Sequence, residues 1–186
     1  KKAVAALARS VPKLWKGRPS EHRLVEIHNK LVAYTVTMVQ WSTGARAVKD
    51  PIDIALTDLV EGLIVLSDKD GDSYAETRIA WLPELARKQL QAYSVHREQL
   101  SGHKRFGDLV RSAPSWLFFI VGGRASLVTP ALLEEFRGDQ YLFRGNAQRH
   151  YLRTKLAELG TAGNLIDALL GHGAFGESAY GRFSCF

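Results

Sequence analysis

The chain of 186 residues carries a formal net charge of +6, with 46% hydrophobic and 24% charged residues. This is the composition of one globular domain with a sizeable core, and it excludes a disordered or fibrous chain. Cys185 is the only cysteine, so these residues form neither an internal disulfide nor a multi-cysteine metal site, and a reducing, cytoplasmic setting is expected.

The chain opens on Lys1 rather than Met, as expected of a piece of a longer protein. Lys1, Lys2, Arg9, Lys13, Lys16 and Arg18 make residues 1–20 a basic segment or linker without the apolar core of a signal peptide. Glu21 to Trp41 follows as a helix, with Leu24, Leu31, Val32, Met38 and Val39 near helical spacing, Ser20 as its N-cap and Gly44 beyond its end. From Asp50 to Glu76 the charge turns acidic, with Lys69 the single base. Within that stretch Gly62 to Leu66 and Tyr74 to Leu82 are β-rich runs around Asp70-Gly71, the pattern of a β-hairpin with Lys69 at its tip.

Pro83 to Gln99 reads as a helix, and Trp116 to Val121 as a short strand ahead of Gly122-Gly123. Thr129-Pro130 opens another helix, with Thr as cap and Pro in the first turn. Asn146 to Leu159 is a further helix closed by Gly160, and Leu165 to Leu170 one that stops at Gly171. Trp116 to Val121, the best apolar run, is strand-sized, so a soluble protein with no membrane partner is expected. Strands grouped apart from helices predict an α+β domain, mostly helical with a small antiparallel sheet. Gln140 to Ala157 is again basic, with Arg144, Arg149, Arg153 and Lys155 available to face phosphate.

On the helix from Asn146, His150 and Arg153 stand three residues apart and share one face, while Leu152, Leu156 and Leu159 are placed to pack beneath. The string His150-Tyr151-Leu152-Arg153, then Leu169-Leu170-Gly171-His172 and then Tyr180, resembles the C-terminal signature of the tyrosine recombinase (phage integrase) family. Thr43-Gly44-Ala45-Arg46 is similar to that family's first arginine motif, at a helix end and ahead of a lysine-bearing hairpin. The resemblance runs from about Leu31 to the C-terminus and rests on the order of several residues rather than on one motif.

The resemblance implies that residues 1–186 are a catalytic domain, without the upstream DNA-binding domain that members carry. It implies a site-specific recombinase or integrase, of a phage or mobile element, acting on double-stranded DNA as a homotetramer on two sites. Tyr180 is then the nucleophile, forming a 3′-phosphotyrosyl link with no cofactor and no metal. Arg46 and Arg153 grip the non-bridging phosphate oxygens, where a planar guanidinium matches two oxygens better than an ammonium does. Lys69 protonates the departing 5′-oxygen, His150 helps to accept the tyrosine proton, and His172 bonds the phosphate or positions the nucleophile. Similar residues serve a type IB topoisomerase-like or telomere-resolving enzyme, and a non-catalytic DNA-binding protein that kept the fold is a further alternative.

Three positions depart from the family's pattern. Lys49, followed by Asp50, occupies the place of an acid that supports the first arginine, and Thr154 that of a second histidine. The interval from His172 to Tyr180 is one residue short, and Phe183 lies three residues further on. Three accounts stay open: Tyr180 is the nucleophile, Phe183 replaces it in an inactive protein, or the tyrosine lies beyond Phe186. Asp68-Lys69-Asp70-Gly71-Asp72 fails as a calcium loop, because its Gly comes too early and Ile79 takes the place of the closing carboxylate. His22, His28, His96 and His103 lack ligand spacing and read as surface or satisfied structural histidines, and the four Trp as core.

Overall fold

The helix expected after Ser20 is the axis of the fold. In the computed structural model, which describes residues 15–17, 19–46, 51, 52, 54, 59, 60, 62–67, 77–138 and 146–171, it is α1, Glu21–Thr43. Ser20 Oγ accepts from the Arg23 N–H at 3.3 Å, and Gly44 ends the helix at φ 66°. Its buried residues run around most of its circumference, from Leu24 and Ile27 through Leu31, Val32 and Val36 to Val39, so α1 is a central helix rather than an amphipathic surface one. The buried threonines on it are satisfied locally: Thr35, Thr37 and Thr43 donate to the carbonyls four residues back at 2.7, 2.7 and 2.8 Å.

Three strands, β1 (Leu59–Val60), β2 (Leu63–Ser67) and β3 (Thr77–Trp81), form an antiparallel sheet in that order. β1 lies outside the two expected runs. The register pairs Leu63 with Trp81, Ile64 with Ala80 and Val65 with Ile79. Strand alternation then turns Ile64, Leu66 and Ala80 into the core and leaves Val65 and Trp81 outside. Trp81, read from sequence as core, is 61% exposed for that reason. The expected turn around Asp70-Gly71, with Lys69, lies outside the described residues.

Helix α2 (Glu84–Ser101) packs along α1, and the short α3 (Gly107–Arg111) follows. A second hairpin joins β4 (Phe119–Val121) to β5 (Arg124–Ser126) through Gly122 and Gly123, whose φ values of 56° and 78° suit a two-residue turn of the primed type. The strand is shorter than the run Trp116 to Val121 because side chains take its early carbonyls. Tyr93 Oη donates to the Trp116 carbonyl at 2.7 Å, and a ring nitrogen of His28 bonds the Phe118 carbonyl at 2.9 Å.

Alternation along this run splits the core in two. Phe119 enters the main cluster with Val32, Val36 and Leu90, while Phe118 and Ile120 join Leu24, Leu100, Phe106 and Val110. Helices α4 (Pro130–Arg137), α5 (Ala147–Glu158) and α6 (Gly163–Leu169) complete the described chain, α4 capped by Thr129 Oγ1 on the Leu132 N–H at 3.2 Å. The fold is α+β, mostly helical with two small antiparallel sheets. Among the described residues no helix is long and apolar enough to cross a membrane.

Candidate functional site

The turn that carries Arg46 is built residue by residue. Thr43 is buried, and its hydroxyl donates to the Val39 carbonyl while accepting from the Ala45 N–H at 3.2 Å. Gly44 holds the left-handed conformation, with its N–H on the Gln40 carbonyl at 2.9 Å. A side chain there meets two obstacles, since a Cβ would stand 2.7 Å from Leu170 Cδ2 and 3.1 Å from Leu152 Cδ2. Ala45 is buried in the core, and Arg46 follows it half-buried. Glycine is thus demanded both by backbone conformation and by the approach of α5 and α6.

Helix α5 meets this turn with one face and solvent with another. Leu152 is half-buried against Gly44, whereas His150 and Arg153 are both exposed. Arg153 Nη1 reaches Asp167 Oδ1 on α6 at 2.6 Å, with the two side chains 47% and 40% exposed. Tyr151 points elsewhere, edge-on to Trp41 of α1 at 5.5 Å between ring centroids, with Lys155 Nζ 5.9 Å above its ring.

Two sequence expectations for this helix change. Arg149, placed with the bases available to phosphate, is 7% exposed and turned inward, where Nη1 donates to the Gly44 carbonyl at 2.8 Å and Nη2 to the Leu170 carbonyl. Leu159, expected to pack beneath, is 80% exposed, since it is the C-cap residue just beyond the last turn of the helix. Lys155 pairs with Glu158 at 2.5 Å on the outer side.

The end of α6 is held from a second direction. Arg78 on β3 donates through Nη1 to the Leu169 carbonyl at 3.0 Å, and its Cδ lies 3.2 Å from where a Cβ on Gly171 would sit. Gly171 has φ 67°, and the next residue is His172. The structure therefore gathers the Arg46 turn, the His150 and Arg153 helix, the residues leading into His172, and strand β3. Lys69, His172 and Tyr180 themselves lie outside the described residues.

Arg149, Arg78 and Asp167 complete this arrangement and were not among the expected site residues. For Arg149 a signal existed. It stands three residues before Leu152 and seven before Leu156, on the inward stripe of the helix. Arg78 and Asp167 carried none, since their partners are distant in sequence.

A second polar cluster lies at the opposite end of α1. Trp15 Nε1 donates to His96 Nδ1 at 3.2 Å, His96 Nε2 faces His28 Nδ1 at 3.3 Å, and His28 Nε2 faces the Phe118 carbonyl at 2.9 Å. Because the indole can only donate, the chain runs one way: His96 is protonated at Nε2 and His28 at Nε2, and both rings are neutral. Burial, with repulsion from His96, pushes His28 down to about 3, and burial pushes His96 down to about 4. Beside them Asn29 bonds both the Ile120 carbonyl at 2.9 Å and the Ile120 N–H at 2.8 Å. Both histidines are thus satisfied structural residues. Among the described residues no group of three or more His, Cys, Asp or Glu is arranged to hold a metal ion.

No family model matches the sequence, and no curated protein matches it. Among solved structures the chain is similar to the crystal structure of XerA recombinase, with a TM-score of 0.54 and 20% sequence identity, covering 84% of this chain and 56% of that one. The chain thus spans a little over half the length of that protein, and the likeness is one of fold.

Proposed function

We propose that this chain is the catalytic domain of a tyrosine-type site-specific DNA recombinase that cuts and rejoins duplex DNA through a 3′-phosphotyrosyl intermediate. The observation that carries the reading is the seating of the Arg46 turn against the helix of His150 and Arg153, in a fold similar to that of a recombinase. Supporting it, Arg153 already holds one anion, the Asp167 carboxylate, at its exposed edge. A phosphate can take that place, because a half-exposed ion pair is worth only about 0–1 kcal/mol.

In this reading the Tyr180 oxygen attacks the scissile phosphorus and the bond to the 5′-oxygen breaks. Lys69 gives that oxygen a proton, and His150 helps to take the proton of the tyrosine. Arg46 and Arg153 hold the non-bridging oxygens as negative charge gathers there, and His172 bonds the same group. Rejoining is the reverse step with a different 5′-hydroxyl, so the energy of the broken bond is kept in the protein–DNA link. The partners are double-stranded DNA and three further copies of the protein on two sites.

The test uses a duplex nicked near the cleavage point, so that the short released strand diffuses away and the intermediate accumulates. The full chain should form a protease-sensitive covalent adduct with this DNA, with the linked peptide containing Tyr180 and no adduct from Tyr180→Phe. An adduct on another residue would reassign the nucleophile. Absence of any adduct, with DNA binding retained, would leave a DNA-binding protein that has lost the chemistry.

A further inference from the structure

Arg149 is an arginine with its guanidinium inside the protein, 7% exposed, between two backbone carbonyls. Gly44 ends α1 and Leu170 ends α6, so the cation faces the negative ends of two helices, whose last carbonyls lack partners within the helix. Gly44 lies two residues before Arg46, and Leu170 two before His172. The same two segments touch directly where Leu170 crosses Gly44. A planar fork that bonds both carbonyls at once sets the distance between them, which a point charge on a flexible stem does not.

We infer that Arg149 is a positioning residue for strand cleavage: it couples the Arg46 turn to the segment entering His172, so that both phosphate-facing groups move as one unit. This rests on the recombinase reading above. Arg78 adds a donor on the α6 side of the pair, through the Leu169 carbonyl at 3.0 Å. The consequence of losing Arg149 is therefore misplacement at the phosphate rather than weaker attraction for DNA.

The experiment compares the full chain with Arg149→Lys, Arg78→Lys and Asn29→Ala, the last lowering stability at the far end of α1. At saturating nicked duplex and a temperature where all are folded, Arg149→Lys should cleave about tenfold or more slowly, as expected for a shift of reacting groups by a fraction of an ångström. Its Kd for the duplex should stay within about threefold of the parent value, since no phosphate-facing charge is lost. Asn29→Ala should cleave at close to the parent rate. An unchanged rate in Arg149→Lys, or an equal loss in Asn29→Ala, would overturn the assignment.

Amide hydrogen exchange tests the coupling without catalysis. Arg149→Lys should speed exchange over both Gly44–Arg46 and Leu169–Gly171, and Arg78→Lys over the latter alone. Acceleration by Arg149→Lys at one segment only, or at neither, would also overturn it. If the parent chain cleaves nothing while both segments loosen together, the recombinase reading fails and the coupling stands.

Discussion

The two ends of α1 attach to their surroundings with different chemistry. At the first end, neutral donors do the work: Trp15, His96 and His28 pass one hydrogen bond along to the Phe118 carbonyl, and Asn29 pairs with Ile120 like a neighbouring strand. His28, His96 and Asn29 are buried and hydrogen-bonded there, and they hold β4 in place. At the second end the donors are arginines. Arg149 takes two helix-end carbonyls, Arg78 a third, and Arg153 a carboxylate in contact with solvent. A histidine pair can be satisfied in the dark of the core only by staying neutral, whereas a guanidinium stays charged wherever it is put. The closed end is therefore sensitive to acid, and the open end keeps its charge for an anion.

The largest expected effect separates binding chemistry from structure at the open end. Arg153→Ala should lower covalent strand cleavage by a factor on the order of 10²–10³, the usual cost of one donor at a developing negative charge. Its unfolding free energy should change by only about 1 kcal/mol or less, because the Asp167 bridge is half-exposed; denaturant titration beside the cleavage assay reads both. If stability fell instead, the bridge would be structural and the contrast between the ends would fail.

Next comes the joint between the helices. Gly44→Ala forces a methyl group against Leu170 and Leu152 at a left-handed backbone position, and chemical denaturation should show a loss of roughly 2–3 kcal/mol.

At the closed end the sign follows from the neutral rings. His28 and His96, ordinarily near 6.5, are pushed down to about 3 and about 4 in the folded protein, so below pH 6.5 the unfolded chain takes up protons that the folded one refuses. Their stabilisation is complete above that pH and is lost as the pH falls toward 4 and then 3, at up to about 1.4 kcal/mol per pH unit for each ring. Thermal unfolding across pH 7 to 4, with imidazole NMR to show both rings still neutral at pH 5, checks it. The smallest effect is expected at Leu159→Gln. That side chain is 80% exposed, so stability should move within about 0.5 kcal/mol.

Much of this fold was legible without coordinates because its signals are local. Ser20, Gly44, Thr129 and Gly171 mark helix boundaries through caps and left-handed turns, which depend on a few neighbouring residues. The shared face of His150 and Arg153 follows from helical spacing in the same way. Trp81 was misread because residue type alone does not say which strand face meets the core, and Leu159 because helical spacing does not say where the packed part of a helix stops. The two-residue strand β1 escaped because a pair that short has no period to detect.

By itself, then, the sequence determined the helices other than the short α3, the α+β class, the Arg46 turn and the candidate catalytic residues in their order along the chain. Only the tertiary structure decided that His28 and His96 close a buried chain with Trp15, that Arg149 faces inward, and that Arg78 and Asp167 meet the end of α6. The physical reason is the same in each case. A polar side chain's role is set by which unsatisfied group comes within about 3 Å of it. Here those groups are backbone carbonyls and side chains that are remote along the chain and become neighbours only when the elements pack.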